Sequence, residues 1–325
     1  MKRGIAFWVI AIACVFLFTA CKKDKETVNE IPQEVEEIET NKYTFGFSCL
    51  TMDNPYFIEL EAVLRKHIEA EGHKFITKDA KSDATLQHQQ IDEFIKEKVD
   101  AVFLAPVDWI EIESAIDRLN EAGIKIINLD TQVQAFDKID AYVGSDNSNA
   151  GTLCGEDLLT RLPQGGKIII VECPNRNSVN ERIKGFEKAI AKQGFEVVAR
   201  IDGKGELDVT IPEVEAALKE NPDVVAIMCG NDPMAIGAAA TANLMAANHV
   251  IIYGIDGSPD VKKEIAKQGS LVVATVAQST KAIGEQATLV ALQMMNGEKY
   301  ERVTYVDIFM INKENIVEHD IHTWQ

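Results

Sequence analysis

The sequence predicts an α/β protein built from two similar, doubly wound parallel sheets. From Tyr43 onward, short apolar runs alternate with amphipathic segments, the mark of β-α units. Several runs are rich in Val and Ile and nearly continuous, as strands buried on both faces of a parallel sheet should be. The alternation also runs twice, once over about a hundred residues after Tyr43 and again from near Asp146, which implies two domains of one design.

In chain order the expected strands are Tyr43–Cys49, Lys74–Thr77, Ala101–Ala105, Lys125–Leu129, Ala141–Gly144, Lys167–Val171, Glu196–Ile201, Val224–Cys229, Val250–Ile255 and Leu271–Ala277. The helices between them carry start signals. Asn54 can cap a helix with Pro55 in its first turn, Phe57, Leu60, Leu64 and Ile68 forming its apolar stripe. Gly72 ends it. Ser178-Val179-Asn180-Glu181 reads as a capping box ahead of a helix ending near Gly194, and Thr210-Ile211-Pro212-Glu213 as a second box.

The 325 residues, 46% apolar and 26% charged, have globular composition and suit two domains. The N-terminal segment is set apart from the fold. Residues 1–20 carry Lys2 and Arg3, then an apolar run from Ile5 to Phe18, then small Thr19 and Ala20. That is the pattern of a secretory signal. Its removal takes the net charge from −18 to −20, since Lys2 and Arg3 are its charged residues. Such a chain repels nucleic-acid phosphate, so no nucleic-acid role is expected. Leu17-Phe18-Thr19-Ala20 before Cys21 resembles the lipobox of bacterial lipoproteins, with Phe18 where Leu is usual. It implies lipid on Cys21 and anchoring at the membrane. Residues 21–42 are polar and acidic, and read as a tether. Cys49, Cys154, Cys173 and Cys229 lack C-x-x-C spacing and sit among apolar or small residues, as small core residues do.

Enzyme signatures are missing. There is no G-x-S-x-G elbow, no H-E-x-x-H and no G-x-x-x-x-G-K-S/T loop. Gly203-Lys204-Gly205 is only a fragment of a dinucleotide loop. His319 and His322, with Asp320 alone beside them, fit a solvated tail better than a metal site. No cofactor or metal is expected. The strand ends carry other groups. The first is followed by Asp53-Asn54-Pro55-Tyr56-Phe57, later ones by Asp130-Thr131, Asn231-Asp232-Pro233, Asp256-Gly257 and Gln278, with Arg182 on the helix after Val171. Asp, Asn, Gln and Arg are planar, multi-pronged hydrogen-bonding groups. A polyol needs them because each hydroxyl both donates and accepts, and flat aromatics suit the apolar faces of a sugar ring. Singly, each is an ordinary βα-turn or core residue. The collection at successive strand ends is what points to a ligand site.

Through these segments, together with Gly144-Ser145-Asp146-Asn147, Arg182-Ile183-Lys184-Gly185-Phe186 and Gly254-Ile255-Asp256-Gly257-Ser258-Pro259, the chain resembles the ribose-type sugar-binding proteins of bacterial ABC importers. The resemblance covers Tyr43 to Asn312. It implies a type I periplasmic-binding-protein fold, with two Rossmann-like domains joined by three hinge strands and a sugar trapped between them. By position, the domains would be 43–145 plus 278–307 and 146–277 plus 308–325. The ligand groups would be Asn54, Tyr56, Phe57 and Asp130 from the first and Arg182, Asn231 and Asp256 from the second, with Gln278 at a hinge crossing. Two departures stand out. Thr131 replaces an arginine, and Gly203-Lys204-Gly205-Glu206 aligns where the family has an aromatic. Both leave room for a larger or differently oriented sugar than ribose.

The expectation is therefore an exported, lipid-anchored, monomeric receptor in the cell envelope. It would pass a monosaccharide or polyol to an ABC permease without chemistry. A sensor subunit for a membrane histidine kinase or chemoreceptor is the alternative. A glycosidase using Asp130 and Asp256 is disfavoured by the absence of an acid/base pair. LacI-type repressors share the fold but begin with a helix-turn-helix, where this chain has a leader and a tether, so a repressor is not expected.

Overall fold

The computed structural model describes residues 42–325. The leader, Cys21 and the tether up to residue 41 lie outside the described residues. The first half of the chain forms β1 (Thr44–Cys49), α1 (Pro55–Ala70), β2 (Lys74–Asp79), α2 (Ala84–Glu97), β3 (Ala101–Leu104), α3 (Glu113–Glu121), β4 (Lys125–Leu129) and β5 (Ala141–Ser145). The second forms α4 (Asn147–Arg161), β6 (Gly166–Glu172), α5 (Asn177–Ile190), β7 (Phe195–Asp202), α6 (Leu207–Glu220), β8 (Val224–Cys229), α7 (Asp232–Leu244), β9 (Ile251–Asp256), α8 (Pro259–Ala266) and β10 (Val272–Gln278). Then come α9 (Thr280–Met295), β11 (Val303–Val306) and β12 (Ile308–Asn312).

These strands make two six-stranded sheets, in the orders β11-β5-β4-β3-β1-β2 and β12-β10-β9-β8-β6-β7. All pairings are parallel except β10 with β12. Two doubly wound α/β lobes result, as the sequence predicts. The chain passes between them three times: after β5, between β10 and α9, and between β11 and β12. The middle crossing follows from where α9 packs: Ile283, Ala287 and Val290 share a core with Phe45 and Phe47 of β1.

Each sheet is buried on both faces, which is why its strands read as unbroken apolar runs. Successive side chains feed opposite cores. In β3, Ala101 and Phe103 enter one, Val102 and Leu104 the other. In β6, Ile169 and Val171 face one core, Ile168 and Ile170 its counterpart. The four cysteines of the described residues are buried and free.

Asn54 caps α1 as expected, its side chain accepting from the Tyr56 N–H at 3.0 Å. The other two helix starts differ from expectation. Ser178 lies inside α5, whose N-cap is Arg176, and no box with Glu181 forms because the Ser178 hydroxyl bonds Thr131 instead. This helix ends at Ile190, short of Gly194, where Lys192 takes a left-handed φ of 62°. Thr210 lies inside α6 and donates back to the Glu206 carbonyl at 2.7 Å. That helix begins early because Lys204 and Gly205 both have positive φ and turn the chain before Thr210. The sequence predicts no strand after Ala277; β11 and β12 are the further difference. Both are edge strands with exposed Val303, Tyr305 and Phe309; β11 is only four residues long and interrupted by Thr304, whereas β12 carries an apolar run from Ile308 to Ile311.

Candidate functional site

The carboxyl ends of both sheets face one interlobe cleft. At its bottom is a cavity of about 20 Å³ lined by Asn54, Tyr56, Phe57, Asp130, Arg176, Ser178, Val179, Arg182, Asn231 and Asp256. It adjoins a groove of about 820 Å³ with which it shares Asn54, Arg176 and Asp256. On one side the lobes meet directly. Thr131 and Ser178 share a hydroxyl–hydroxyl hydrogen bond of 2.7 Å. The Asn175 amide donates to the Val107 carbonyl at 3.0 Å, and the Trp109 N–H donates to the Asn175 carbonyl at 3.2 Å.

Arg182 organises the floor. It is 3% exposed. Its Nε donates to Asn147 Oδ1 at 2.8 Å and its Nη1 to the Gly230 carbonyl at 2.8 Å. The same Nη1 lies 3.3 Å from Asp256 Oδ1, and Nη2 lies 3.9 Å from Asp130 Oδ1. One guanidinium thus serves a carboxylate from each lobe. Its placement follows from two glycines. A Cβ on Gly151 would stand 1.7 Å from the Arg182 carbonyl oxygen, and one on Gly185 would stand 1.9 Å from that of Ser148. α4 and α5 therefore touch backbone to backbone.

Both carboxylates sit on strained backbone. Asp130 has φ 57° and Asp256 φ 146°, conformations that cost of order 1–3 kcal/mol each and cluster at ligand clamps. Around Asp130 the loop is held by buried Asn128, whose amide donates to the carbonyls of Leu104 and Thr131 and accepts from the Val133 N–H. Burial pushes the Asp130 carboxyl up, opposed by Arg182 and the Thr131 hydroxyl. Burial also pushes Asp256 up, to about 7, against the pull of Arg182 and with Asp232 and Asp130 adding to the rise. Buried Asp232 is raised too, although it accepts from the Ser258 N–H and the Thr275 hydroxyl, each at 2.7 Å.

Seven of the eight ligand groups expected from sequence line the inner cavity. Tyr56 has a buried hydroxyl with no partner among the described residues, raised by burial and by Asp130 and Asp256. Its ring meets Phe57 and Trp324 edge-on, with centroids 5.1 and 5.9 Å away. Asn231 caps α7 by accepting from the Met234 N–H and donates to the Gly205 carbonyl, so part of its amide holds the loop after β7. Gln278 is the exception. It stands behind Asp256, donating to Oδ1 at 2.8 Å, outside the lining of either cavity.

Arg176 and Ser178 were not expected. The signal was present in Cys173-Pro174-Asn175-Arg176, a cation on a turn directly after a strand. Among the described residues, no cluster of three or more His, Cys, Asp or Glu could hold a metal ion.

Comparison with known proteins gives this architecture relatives. Residues 45–299 match the family model described as periplasmic binding protein domain. The chain is 29% identical over 306 residues to the ribose import binding protein of Bacillus subtilis, covering 93% of this chain and 96% of that protein. Among solved structures, a periplasmic solute binding protein of an ABC transporter from Actinobacillus succinogenes, with bound D-allose, superposes with a TM-score of 0.77. It is 26% identical and covers 86% of this chain and 100% of its own. A solute binding protein from Bacillus halodurans with bound myo-inositol gives a TM-score of 0.79 at 27% identity, covering 85% of this chain and 96% of its own.

Proposed function

This chain belongs to the periplasmic binding protein family, and from that premise we propose that it captures a sugar or related polyol between its lobes and delivers it to an ABC permease. The observation that carries this is the shared Arg182. A guanidinium held between carboxylates of opposite lobes, with Tyr56 and Phe57 beside it, matches a ring of hydroxyls that donate and accept. Ligand bridges the lobes, and closure buries it.

Asn54, Tyr56, Phe57, Asp130, Arg182, Asn231 and Asp256 are the proposed contacts, with Gln278 holding Asp256 in place. The lobes as units are 43–145 plus 278–307 and 146–277 plus 308–325. Closure juxtaposes surfaces of both, so occupancy becomes a docking signal for the permease. No chemical step is involved. The receptor works as a monomer on the extracytoplasmic face, held to the membrane by lipid on Cys21. Relatives named for ribose import and solved with allose or myo-inositol support the ligand class.

A thermal-shift screen of monosaccharides and polyols tests the reading, because a ligand that binds only the folded chain raises its melting temperature by mass action. Small-angle scattering of the hit should show a smaller radius of gyration with ligand. No shift across the whole panel would sink the proposal.

A further inference from the structure

Arg176 is buried at 6% exposure in the cleft wall. Its Nε has no hydrogen-bond partner, and its guanidinium forms no ion pair among the described residues. Leaving a buried cation unpaired is costly, so the group is poised for something that enters the cleft. It lines both the inner cavity and the outer groove, standing where the two join. Gly205 makes room for it. A Cβ there would lie 2.2 Å from Arg176 Nη1, so a side chain at this position would push the guanidinium from where it stands.

Charge says what the arginine is for. Asp130 and Asp256 share Arg182, which leaves one carboxylate in excess. With both carboxylates ionised, the state that donating ligand hydroxyls favour, Arg176 brings the groups lining the cavity to two carboxylates and two guanidinium groups, and a ligand carboxylate would unbalance them. Asp232 behind the site and Asp208 and Asp260 around the groove oppose an anion further.

We infer that Arg176 sets which sugar the site takes, its guanidinium donating to a hydroxyl carried beyond the ring, so that the site selects a neutral hexose-sized sugar over a pentose and over a sugar acid. This rests on the sugar-binding reading above and deepens it.

The test uses the full-length chain and sugars that share ring stereochemistry but differ at C5. These are D-xylose, D-glucose and D-glucuronate; L-arabinose, D-galactose and D-galacturonate; and the pair D-ribose and D-allose. In whichever series binds, calorimetry should find the hydroxymethyl sugar tightest and, where the series has one, the acid weakest. In Arg176→Met the hexose-to-pentose affinity ratio should fall about ten- to hundredfold, the scale of one hydrogen bond to a charged group. Its ligand-free melting temperature should hold or rise, since an unpaired buried charge has gone. Arg176→Lys, which keeps the charge but not the fork, should lose part of the ratio. An unchanged ratio in both variants, or a marked loss of ligand-free stability in Arg176→Met, would show a structural arginine and overturn the inference. A uronate bound tightest by the unmodified chain would overturn its neutral-ligand half. If neither these sugars nor any other polyol binds the unmodified chain, the sugar reading falls and takes this inference with it.

Discussion

Arg182 Nη1 and Asp256 Oδ1 stand 3.3 Å apart, both almost wholly shut off from solvent. Yet burial outweighs the ion pair, and the Asp256 carboxyl titrates about 7 instead of 3.8. A carboxyl raised in the folded state is protonated there while its unfolded counterpart is ionised. Its contribution to stability is fully present below the unfolded value and is lost as pH rises through the folded one. The ligand-free protein should therefore lose stability from this group as pH climbs from about 4 to about 7. Asp256→Asn should melt at or above the unmodified protein at pH 7.5, and the advantage should shrink at pH 5 and vanish below about pH 4. Sugar hydroxyls that donate to the carboxylate favour its ionised form. Binding should then release protons near pH 7, seen as a buffer-dependent calorimetric enthalpy, and Asp256→Asn should abolish that dependence. Equal pH profiles for the two proteins would remove Asp256 from this role.

Gly185 controls the same arginine from behind. A methyl group there would meet the Ser148 carbonyl at 1.9 Å, and backbone cannot swing aside as a flexible side chain can. Gly185→Ala should destabilise the chain by about 1–3 kcal/mol, the range of overpacked cores. It should also weaken ligand binding, because α5 carries Arg182. A control at Gly269, where a Cβ meets nothing within 4 Å but φ is +77°, separates steric contact from backbone strain. Gly269→Ala should lower stability modestly and leave affinity alone. Matching affinity losses at both positions would contradict the contact argument.

The strands of the two sheets were legible because parallel strands buried on both faces carry nearly continuous apolar runs: all of β3, Ile126-Ile127 and Leu129 of β4, and Ile168 to Val171 of β6. β11 was not, since an edge strand needs apolar residues on one side only and a four-residue run broken by Thr304 resembles a loop; β12, apolar from Ile308 to Ile311, did carry a strand signal. Within the site, Arg182, Asp130 and Asp256 were readable as polar groups at strand ends. Arg176 showed only its place on a turn after a strand; what distinguishes it, a buried guanidinium without an ion pair, belongs to the folded environment. The role of Gln278 behind Asp256 is likewise a matter of tertiary depth.

Cys21 carries a prediction of its own, motivated by the apolar run and the Thr19-Ala20 pair before it. Mass spectrometry of protein purified from membranes should find a lipidated Cys21 at a blocked N-terminus. Cys21→Ala should release or mislocalise the receptor with sugar affinity unchanged. An unmodified Cys21 in membrane-derived protein would end the anchoring proposal.

Lys262 reaches the site through the chain that follows β12. Fully buried on α8, it donates to the carbonyls of Asp320 at 2.7 Å and Thr323 at 2.5 Å, and burial lowers its pKa. That clamp sets the next residue, Trp324, edge-on against Tyr56 of α1, and the Gln325 carbonyl accepts from Ser279 between β10 and α9. Ile316 and Ile321 of the same segment pack on the second lobe. The segment therefore runs from the second lobe to a cavity-lining residue of the first. Trp324→Ala should weaken ligand binding about two- to tenfold, since an aromatic pair of this kind contributes about 0.5–1.5 kcal/mol. Lys262→Met should weaken it by a similar factor while also lowering the melting temperature, because two buried carbonyls lose their donor. If Lys262 acts through the tryptophan, the double variant should bind no worse than the weaker single. Groups in one chain of contacts are not additive, whereas independent ones are. Additive losses in that cycle would mean that Lys262 serves stability alone and that Tyr56 keeps its place without the clamp.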